Sequence, residues 1–151
     1  MLPRVKFGLI VGAVALVLNV FVSTAFGLCG PFTALLAGGI SGFFTAQQEK
    51  LPLKGDGARA GVISGLVAGG LVFLGQLLGA LGAILLVQSL GGKTIFGQVP
   101  DLTAGPQSVA YIVAALGTGA CFGVVGIALA AGAGALAGYL STPVARPVDA
   151  P

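Results

Sequence analysis

Apolar residues occupy four long stretches of this chain, and the charged residues lie almost entirely in the gaps between them. The stretches run roughly over residues 7–26, 32–46, 60–90 and 108–140. A chain of 151 residues cannot bury this much apolar surface in a water-soluble core. A bilayer solvates such surface, and it accepts helices because they satisfy their own backbone hydrogen bonds. The pattern therefore predicts an all-α integral membrane protein with four transmembrane helices.

The polar gaps group these helices into two tandem hairpins within one membrane domain. We expect helix one to end near Phe26, and a tight turn at residues 27–31 would place Pro31 in the first turn of helix two. The predicted boundaries are residues 5–48 for hairpin one, 49–57 for a cytoplasmic loop broken by Pro and Gly, 58–141 for hairpin two with an outer loop at 91–105, and 142–151 for a C-terminal tail.

Hairpin two is longer than a simple crossing of the membrane requires. As one helix, residues 57–90 would extend about 51 Å, whereas the hydrocarbon layer is about 30 Å thick. Either the outer ends of both helices project together beyond the membrane, or the helices break at glycines such as Gly79 and Gly82. The outer loop is expected to be either an ordered cap or a flexible connection.

The distribution of basic residues predicts the orientation, because short cytoplasmic loops carry an excess of Lys and Arg. Six of the seven basic residues fall on one side if both termini are cytoplasmic, and Lys93 is the exception. The six are Arg4, Lys6, Lys50, Lys54, Arg59 and Arg146. We therefore expect both the N-terminus and the C-terminus to be cytoplasmic, in a bacterial or archaeal cell membrane.

The two hairpins resemble each other in sequence. A shift of 53 residues aligns Gly8–Leu18 with Gly61–Leu71 with six identities, and a basic residue opens each segment. A shift of 96 residues aligns Gly30, Ala34, Gly38 and Gly42 with Gly126, Ala130, Gly134 and Gly138. The pattern favours a parallel internal repeat, although two segments rich in Gly, Ala, Leu and Val can also match through composition alone.

Small residues recur at intervals of four along each helix and so form smooth faces. In lipid, helices associate largely through the close packing that such faces permit. Packing within the chain is the simpler interpretation, and a face that points outward would instead mediate an oligomer. The predicted helix-packing positions are Gly8, Gly12, Gly30, Ala34, Gly38, Gly42, Gly61, Gly65, Gly69, Gly75, Gly79, Gly126, Ala130, Gly134 and Gly138.

The candidate chemistry of the chain is sparse. Histidine is absent and the two cysteines, Cys29 and Cys121, are far apart, so we expect no metal site, no cofactor and no enzymatic activity. The net charge of +3 comes without a basic run or an aromatic cluster, and nucleic acid is therefore not an expected partner. The expected partners are the lipid bilayer and either further copies of this chain or other membrane subunits.

Two amide side chains, Asn19 and Gln76, are the costly polar groups within the apolar stretches, because each needs a hydrogen-bond partner in hydrocarbon. A bond across a helix interface is the simpler interpretation, and a polar track is the alternative. The sequence thus favours a non-enzymatic structural or accessory subunit that packs through glycine-rich faces in a homo-oligomer or larger membrane complex. The alternative is a small channel or carrier lined by these two amides.

Overall fold

Four α-helices make up almost all of the computed structural model, which describes residues 3–26, 30–91, 93–94, 97–98 and 106–143. The helices are α1 (Pro3–Phe26), α2 (Gly30–Glu49), α3 (Lys54–Ser89) and α4 (Pro106–Ser141). Three of them contain segments long and apolar enough to cross a membrane, namely Pro3–Thr24, Lys54–Ser89 and Ile112–Ser141. The helical class is confirmed, and these three helices fit a membrane protein.

The ends of the first two helices follow local sequence signals. α1 ends at Phe26, as expected, and Pro31 is the second residue of α2. α2 ends at Glu49, because Lys50 has a φ angle of 45°, a left-handed conformation that stops a helix. The predicted turn itself, including Cys29, falls on residues 27–29, which lie outside the described residues.

α3 begins at Lys54, four residues before the predicted start of hairpin two. Residues 54–57 are therefore helical, whereas the sequence predicted that the loop would continue to Gly57. The backbone N–H groups of Asp56 and Gly57 donate to the carbonyl of Leu53 at 3.1 and 3.2 Å, which closes the first turn. The carboxylate of Asp56 in that turn also stabilises the helix N-terminus.

α3 and α4 are unbroken, and each contains 36 residues. The proposed breaks at Gly79 and Gly82 are wrong, since both glycines lie inside continuous α3. Each glycine instead accommodates a side chain of α1, Ser23 at Gly79 and Thr24 at Gly82. At 1.5 Å per residue each helix is about 54 Å long.

The connection between α3 and α4 contains a short antiparallel pair of strands. β1 (Lys93–Thr94) pairs with β2 (Gly97–Gln98), with Lys93 opposite Gln98 and Thr94 opposite Gly97. This part of the predicted outer loop is therefore ordered. The rest of that loop (residues 92, 95–96 and 99–105) and the tail beyond residue 143, including Arg146, lie outside the described residues.

The helices pack as a rhombus in cross-section. α2 and α3 touch across the centre, α1 lies on one side against both, and α4 lies on the other side against both. Within the described residues α1 and α4 do not touch. The most extensive interface joins α3 to α4, and the smallest interface between touching helices joins α1 to α2.

The centre of the bundle is built from small side chains, and the large apolar side chains point outward. The core cluster consists of Ala34, Ala37, Ala68, Val72 and Ala130. Large residues such as Phe21 and Leu140 are about 70% exposed (71% and 69%). This arrangement is the reverse of a soluble protein and suits helices that are solvated by lipid.

Candidate functional site

Small residues bring the backbones of α2, α3 and α4 into direct contact near the centre of the bundle. A Cβ atom added at Gly38 would collide with the backbone of Ala130, and one added at Gly42 would collide with the backbone of Gly134. From α3, a Cβ atom at Gly61 would collide with the same carbonyl group of Gly134. α4 is therefore held between α2 and α3 by contacts that only very small residues permit.

The interface between α1 and α3 is built in the same way. A Cβ atom at Gly8 would lie 2.8 Å from the carbonyl oxygen of Ser64, and one at Gly12 would lie 2.9 Å from the Cα atom of Ala68. Further along α3, a Cβ atom at Gly75 would lie 2.9 Å from the carbonyl oxygen of Leu16. These distances are shorter than ordinary van der Waals contact.

All fifteen positions that the sequence singled out for helix packing are buried, and the glycines among them lie against another helix of the same chain. The glycines that remain open are different ones. An added Cβ atom would meet nothing within 4 Å at Gly39, Gly70, Gly117 or Gly132. An interface between two chains would therefore use a surface other than the one formed by these fifteen positions.

α4 presents one such surface, which we call the α4 outer face. It consists of six exposed residues, Ala110, Ala114, Gly117, Cys121, Ala128 and Gly132. They follow one another mostly at intervals of three or four and so lie on one side of the helix. Val124 is the one larger residue along this line. The spacing of these small residues is visible in the sequence, although none of them is among the fifteen predicted packing positions.

The two predicted polar residues lie together inside the bundle. Asn19 is fully buried and Gln76 is 4% exposed. The Nδ2 group of Asn19 donates to the backbone carbonyl of Val72 at 3.0 Å and to Oε1 of Gln76 at 3.3 Å. The hydroxyl of Thr33 in α2 donates to Oδ1 of Asn19 at 2.8 Å. The cluster thus bridges α1, α2 and α3.

This polar cluster is closely packed on its inner side. The amide of Gln76 lies so close to Gly30 that a Cβ atom there would collide with Oε1. The space that Gly30, Ala34, Gln76 and Gly126 enclose has no room for a water molecule. The geometry makes Asn19 and Gln76 a hydrogen-bonded bridge between helices, and their part in solute transport stays a prediction.

Buried hydroxyl groups in this protein generally bond to their own helix. Ser41, Thr45, Ser64 and Thr142 each donate to a backbone carbonyl three or four residues earlier, at 2.8–3.2 Å. Ser23 differs from them. It is 1% exposed, and within the described part of the chain its Oγ atom is the one buried side-chain polar atom without a hydrogen-bond partner.

Ser23 lines a groove that opens beside the end of α1, between α3 and α4. We call this the outer groove, and its volume is about 360 Å³. Two further polar side chains line it, Gln76 from α3 and Thr118 from α4. The remaining lining residues are Ala80, Ala83, Ile84, Val87, Ala114, Ala115, Gly119 and Phe122. Sequence reasoning missed this groove.

A second groove lies between α1 and α2, the two touching helices that share the smallest interface. Its volume is about 330 Å³. Apart from Thr33, all its lining residues are apolar: Ile10, Val11, Val14, Ala15, Leu18, Leu36, Ala37 and Ile40. The two grooves are therefore similar in size but differ in polar character.

The charged residues gather at the opposite end of the bundle. The Nε group of Arg4 donates to both carboxylate oxygens of Glu49, at 3.0 and 2.9 Å, which joins the start of α1 to the end of α2. The ammonium group of Lys54 lies 4.9 Å from the centre of the Tyr139 ring, which joins the start of α3 to the end of α4. We call this the basic end.

Among the described residues, no three His, Cys, Asp or Glu side chains come together as a metal site would require. Cys121 is a free, exposed thiol on the α4 outer face. The chain matches no protein-family model, and no curated protein or solved structure matches it.

Proposed function

We propose that this chain is a non-enzymatic integral membrane protein, a structural or accessory subunit that associates with a second copy of itself through the α4 outer face. It crosses the bilayer four times, its two hairpins are copies of one ancestral hairpin, and both termini are cytoplasmic. The observation that carries the proposal is the α4 outer face, because Gly117 and Gly132 lie open on an exposed line of small residues.

The basic end supports the proposed orientation. It contains Arg4 and Lys54 together with the exposed Lys6, Lys50 and Arg59. Two acidic residues, Glu49 and Asp56, lie in the same region, so the described part of this end is positively charged overall. Short basic segments of this kind favour the cytoplasmic side.

The lengths of α1 and α2 support four crossings. From Lys6 to Phe26, α1 extends about 30 Å, which equals the thickness of the hydrocarbon layer. α2 has 20 residues and runs back over the same distance. Its last residues, Gln47, Gln48 and Glu49, return the chain to the polar surface at the basic end.

The α4 outer face supports self-association for a physical reason. Helices in lipid gain little from burying apolar side chains against one another, so the closeness of their backbones decides how strongly they attract. The small residues of this face let a second helix approach closely over much of the length of α4. Gly117 and Gly132 are about 22 Å apart along the helix, which gives an extended contact.

The outer part of hairpin two supports a partner as well. Since Gly82 lies against Thr24, two residues before the end of α1, α3 extends about 7 Å further than α1 does. Apolar side chains on this extension are exposed, among them Leu85 (67%) and Val113 (63%). A second copy would cover part of this surface, which otherwise would meet headgroups or water.

Cross-linking through Cys121 tests the proposal. In a Cys29→Ser background, mild oxidation of native membranes should yield a disulfide-linked dimer, because the two thiols would face each other across the interface. Gly117→Leu and Gly132→Leu should each raise the dissociation constant about tenfold or more in a dilution assay. Gly39→Leu and Gly70→Leu, at open glycines on α2 and α3, are the matched controls and should leave association unchanged.

A measurement of mass in a mild detergent completes the test. We expect a dimer of the chain or a complex that contains it. A strict monomer without any co-purifying protein would contradict the proposal if cross-linking were also equal in the Cys29→Ser protein and in its four glycine variants.

A further inference from the structure

Ser23 differs from the other buried serines and threonines because its hydroxyl group makes no hydrogen bond within the described part of the chain. The adjacent residue Thr24 donates to the carbonyl of Val20 at 2.7 Å, so α1 offers regular backbone acceptors at this level. Ser23 makes no such bond, although it is 1% exposed. Leaving a buried hydroxyl unpaired is unfavourable, and more so in hydrocarbon than near water. Its Oγ atom packs beside Gly79 at the wall of the outer groove, and a rotation of the Ser23 side chain would bring the hydroxyl to a partner in that groove.

The outer groove has the chemical character of a binding site for a small molecule. Its volume of about 360 Å³ is at the lower end of the range for such sites. Most of its wall is aliphatic, and three polar side chains, Ser23, Gln76 and Thr118, converge on it from three helices. No charged side chain lines it. A charged ligand would find no counter-charge there, so the occupant is uncharged.

The position of the groove indicates how a ligand reaches it. Ser23 lies about 25 Å along α1 from Lys6, close to the edge of a hydrocarbon layer that is about 30 Å thick. This holds whichever end of the bundle faces the cytoplasm. The groove lies beside the end of α1, between α3 and α4, and it is open on one side, so a ligand can enter from the bilayer.

From these features we infer that the outer groove binds an uncharged, lipid-soluble molecule that has an aliphatic body and a carbonyl oxygen. The aliphatic body lies against Ala83, Ile84 and Ala115, and the carbonyl oxygen accepts a hydrogen bond from the hydroxyl of Ser23. A carbonyl suits this position because it has an acceptor but no proton of its own that needs a partner. This inference does not depend on self-association through the α4 outer face.

The groove between α1 and α2 provides an internal comparison. It is nearly as large, at about 330 Å³, but its lining is aliphatic except for Thr33. The proton of the Thr33 hydroxyl already has two acceptors within hydrogen-bond distance, Oδ1 of Asn19 and the carbonyl oxygen of Gly30. Any bilayer lipid can fill this second groove through its acyl chain, without preference for a carbonyl. Selective binding should therefore occur at the outer groove alone.

Photolabelling in lipid nanodiscs tests the inference. The probe is methyl laurate with a diazirine in its chain, and the labelled peptides are identified by mass spectrometry. Labelling should concentrate on residues 76–87 and 114–122. Excess methyl laurate should compete for these sites, whereas tridecane, which has a similar chain but no carbonyl, should compete at least about threefold less well.

Two substitutions localise the site. Ser23→Ala should lower labelling of the outer groove about threefold to tenfold, in line with the loss of one hydrogen bond. Because the lost hydroxyl has no partner in the protein, this variant should fold normally. Ser41→Ala is the matched control at a buried serine that bonds to the carbonyl of Gly38. Gly119→Leu should abolish labelling by filling the groove, since an added Cβ there would lie 4.0 Å from its nearest neighbour, Ala80.

Four results would overturn the inference. The first is equal competition by methyl laurate and tridecane, which would show that only a chain is bound. The second is unchanged labelling in Ser23→Ala. The third is labelling at the groove between α1 and α2 that equals or exceeds labelling at the outer groove. The fourth is no labelling of the outer groove, because water or a helix of another copy occupies it.

Discussion

At Gly134 a single added methyl group would meet backbone atoms of two other helices. The backbone of Gly134 lies between α2 and α3, and an added Cβ atom would collide with the carbonyl oxygen of Gly61 and lie 3.2 Å from that of Gly38. Both neighbours are backbone atoms, which can move only if a whole helix moves. We therefore expect Gly134→Ala to separate α4 from the other two helices and to destabilise the protein.

The expected magnitude follows from comparison with Gly132, two residues away in the same helix. Replacing either glycine with alanine improves helix propensity by about 0.5–1 kcal/mol. At Gly132 an added Cβ atom would meet nothing within 4 Å in the same chain, so in the dissociated monomer this gain is the whole effect. At Gly134 overpacking costs about 1–3 kcal/mol, and the upper part of this range applies because the collision involves backbone on two helices. Because the gain in helix propensity is common to both variants, they should differ in unfolding free energy by about 2–3 kcal/mol.

Unfolding in mixed micelles of a mild detergent and SDS measures this difference, with far-UV circular dichroism as the signal. Gly132→Ala should unfold at the same SDS fraction as the wild type or at a higher one, and Gly134→Ala at a clearly lower one. If both variants shifted the midpoint equally, contact at Gly134 would not hold the helices together, and the description of the α2–α4 and α3–α4 interfaces would be refuted.

Two further predictions concern the polar cluster and the orientation. Asn19→Leu should lower the unfolding free energy by about 1 kcal/mol, since a hydrogen bond between membrane helices contributes about 0.6 kcal/mol on average. The double variant with Gln76→Leu should cost less than the sum of the single variants, and strict additivity in the SDS titration would contradict coupling between the two amides. With both native cysteines replaced by serine, a membrane-impermeant maleimide should label Leu90→Cys in intact cells and Lys50→Cys only after the membrane is opened. The opposite result would reverse the proposed orientation.

The helices could be predicted from the sequence because their signals are local. Three of the four apolar runs have 20 residues or more, and these runs and the turn chemistry of Pro31 are visible in a short window. The start of α3 was missed for a related reason. Gly55, Asp56 and Gly57 together are typical of a turn, but Gly57 serves a distant contact. A Cβ atom there would collide with Thr142 at the end of α4.

The packing positions were also visible in the sequence, but their partners were not. Spacing at intervals of four places Gly8, Gly12, Gly61 and Gly65 on helix faces, whereas it does not say which helix each face meets. Gly8 and Gly12 of α1 lie against α3, and Gly61 and Gly65 of α3 lie against α4. The choice depends on how all four helices fit together, which no local window contains.

The outer groove could not have been predicted from the sequence. Residues of three helices line it, and each of its three polar residues comes from a different helix. Ser23 has no distinguishing feature in the sequence, since a serine in a membrane helix usually bonds to its own backbone. Only its lack of a partner in the fold sets it apart.

The helix contacts also bear on how the two proposed hairpin copies are related. A two-fold axis along the membrane normal would place aligned residues at the same depth. Instead, Gly12 lies against Ala68, three residues after its aligned partner Gly65, in α3, which runs away from the basic end. Gly42 lies against Gly134, four residues before its aligned partner Gly138, in α4, which runs toward the basic end. Because these helices run in opposite directions, both offsets shift hairpin two toward the basic end, by about one helical turn or 5 Å. A rotation combined with one such shift matches the α1–α3 and α2–α4 contacts. The same operation would place α1 as close to α4 as α2 is to α3, whereas α2 and α3 touch and, within the described residues, α1 and α4 do not. The packing of the four helices therefore departs from two-fold symmetry, because α2 and α3 have closed on each other across the centre.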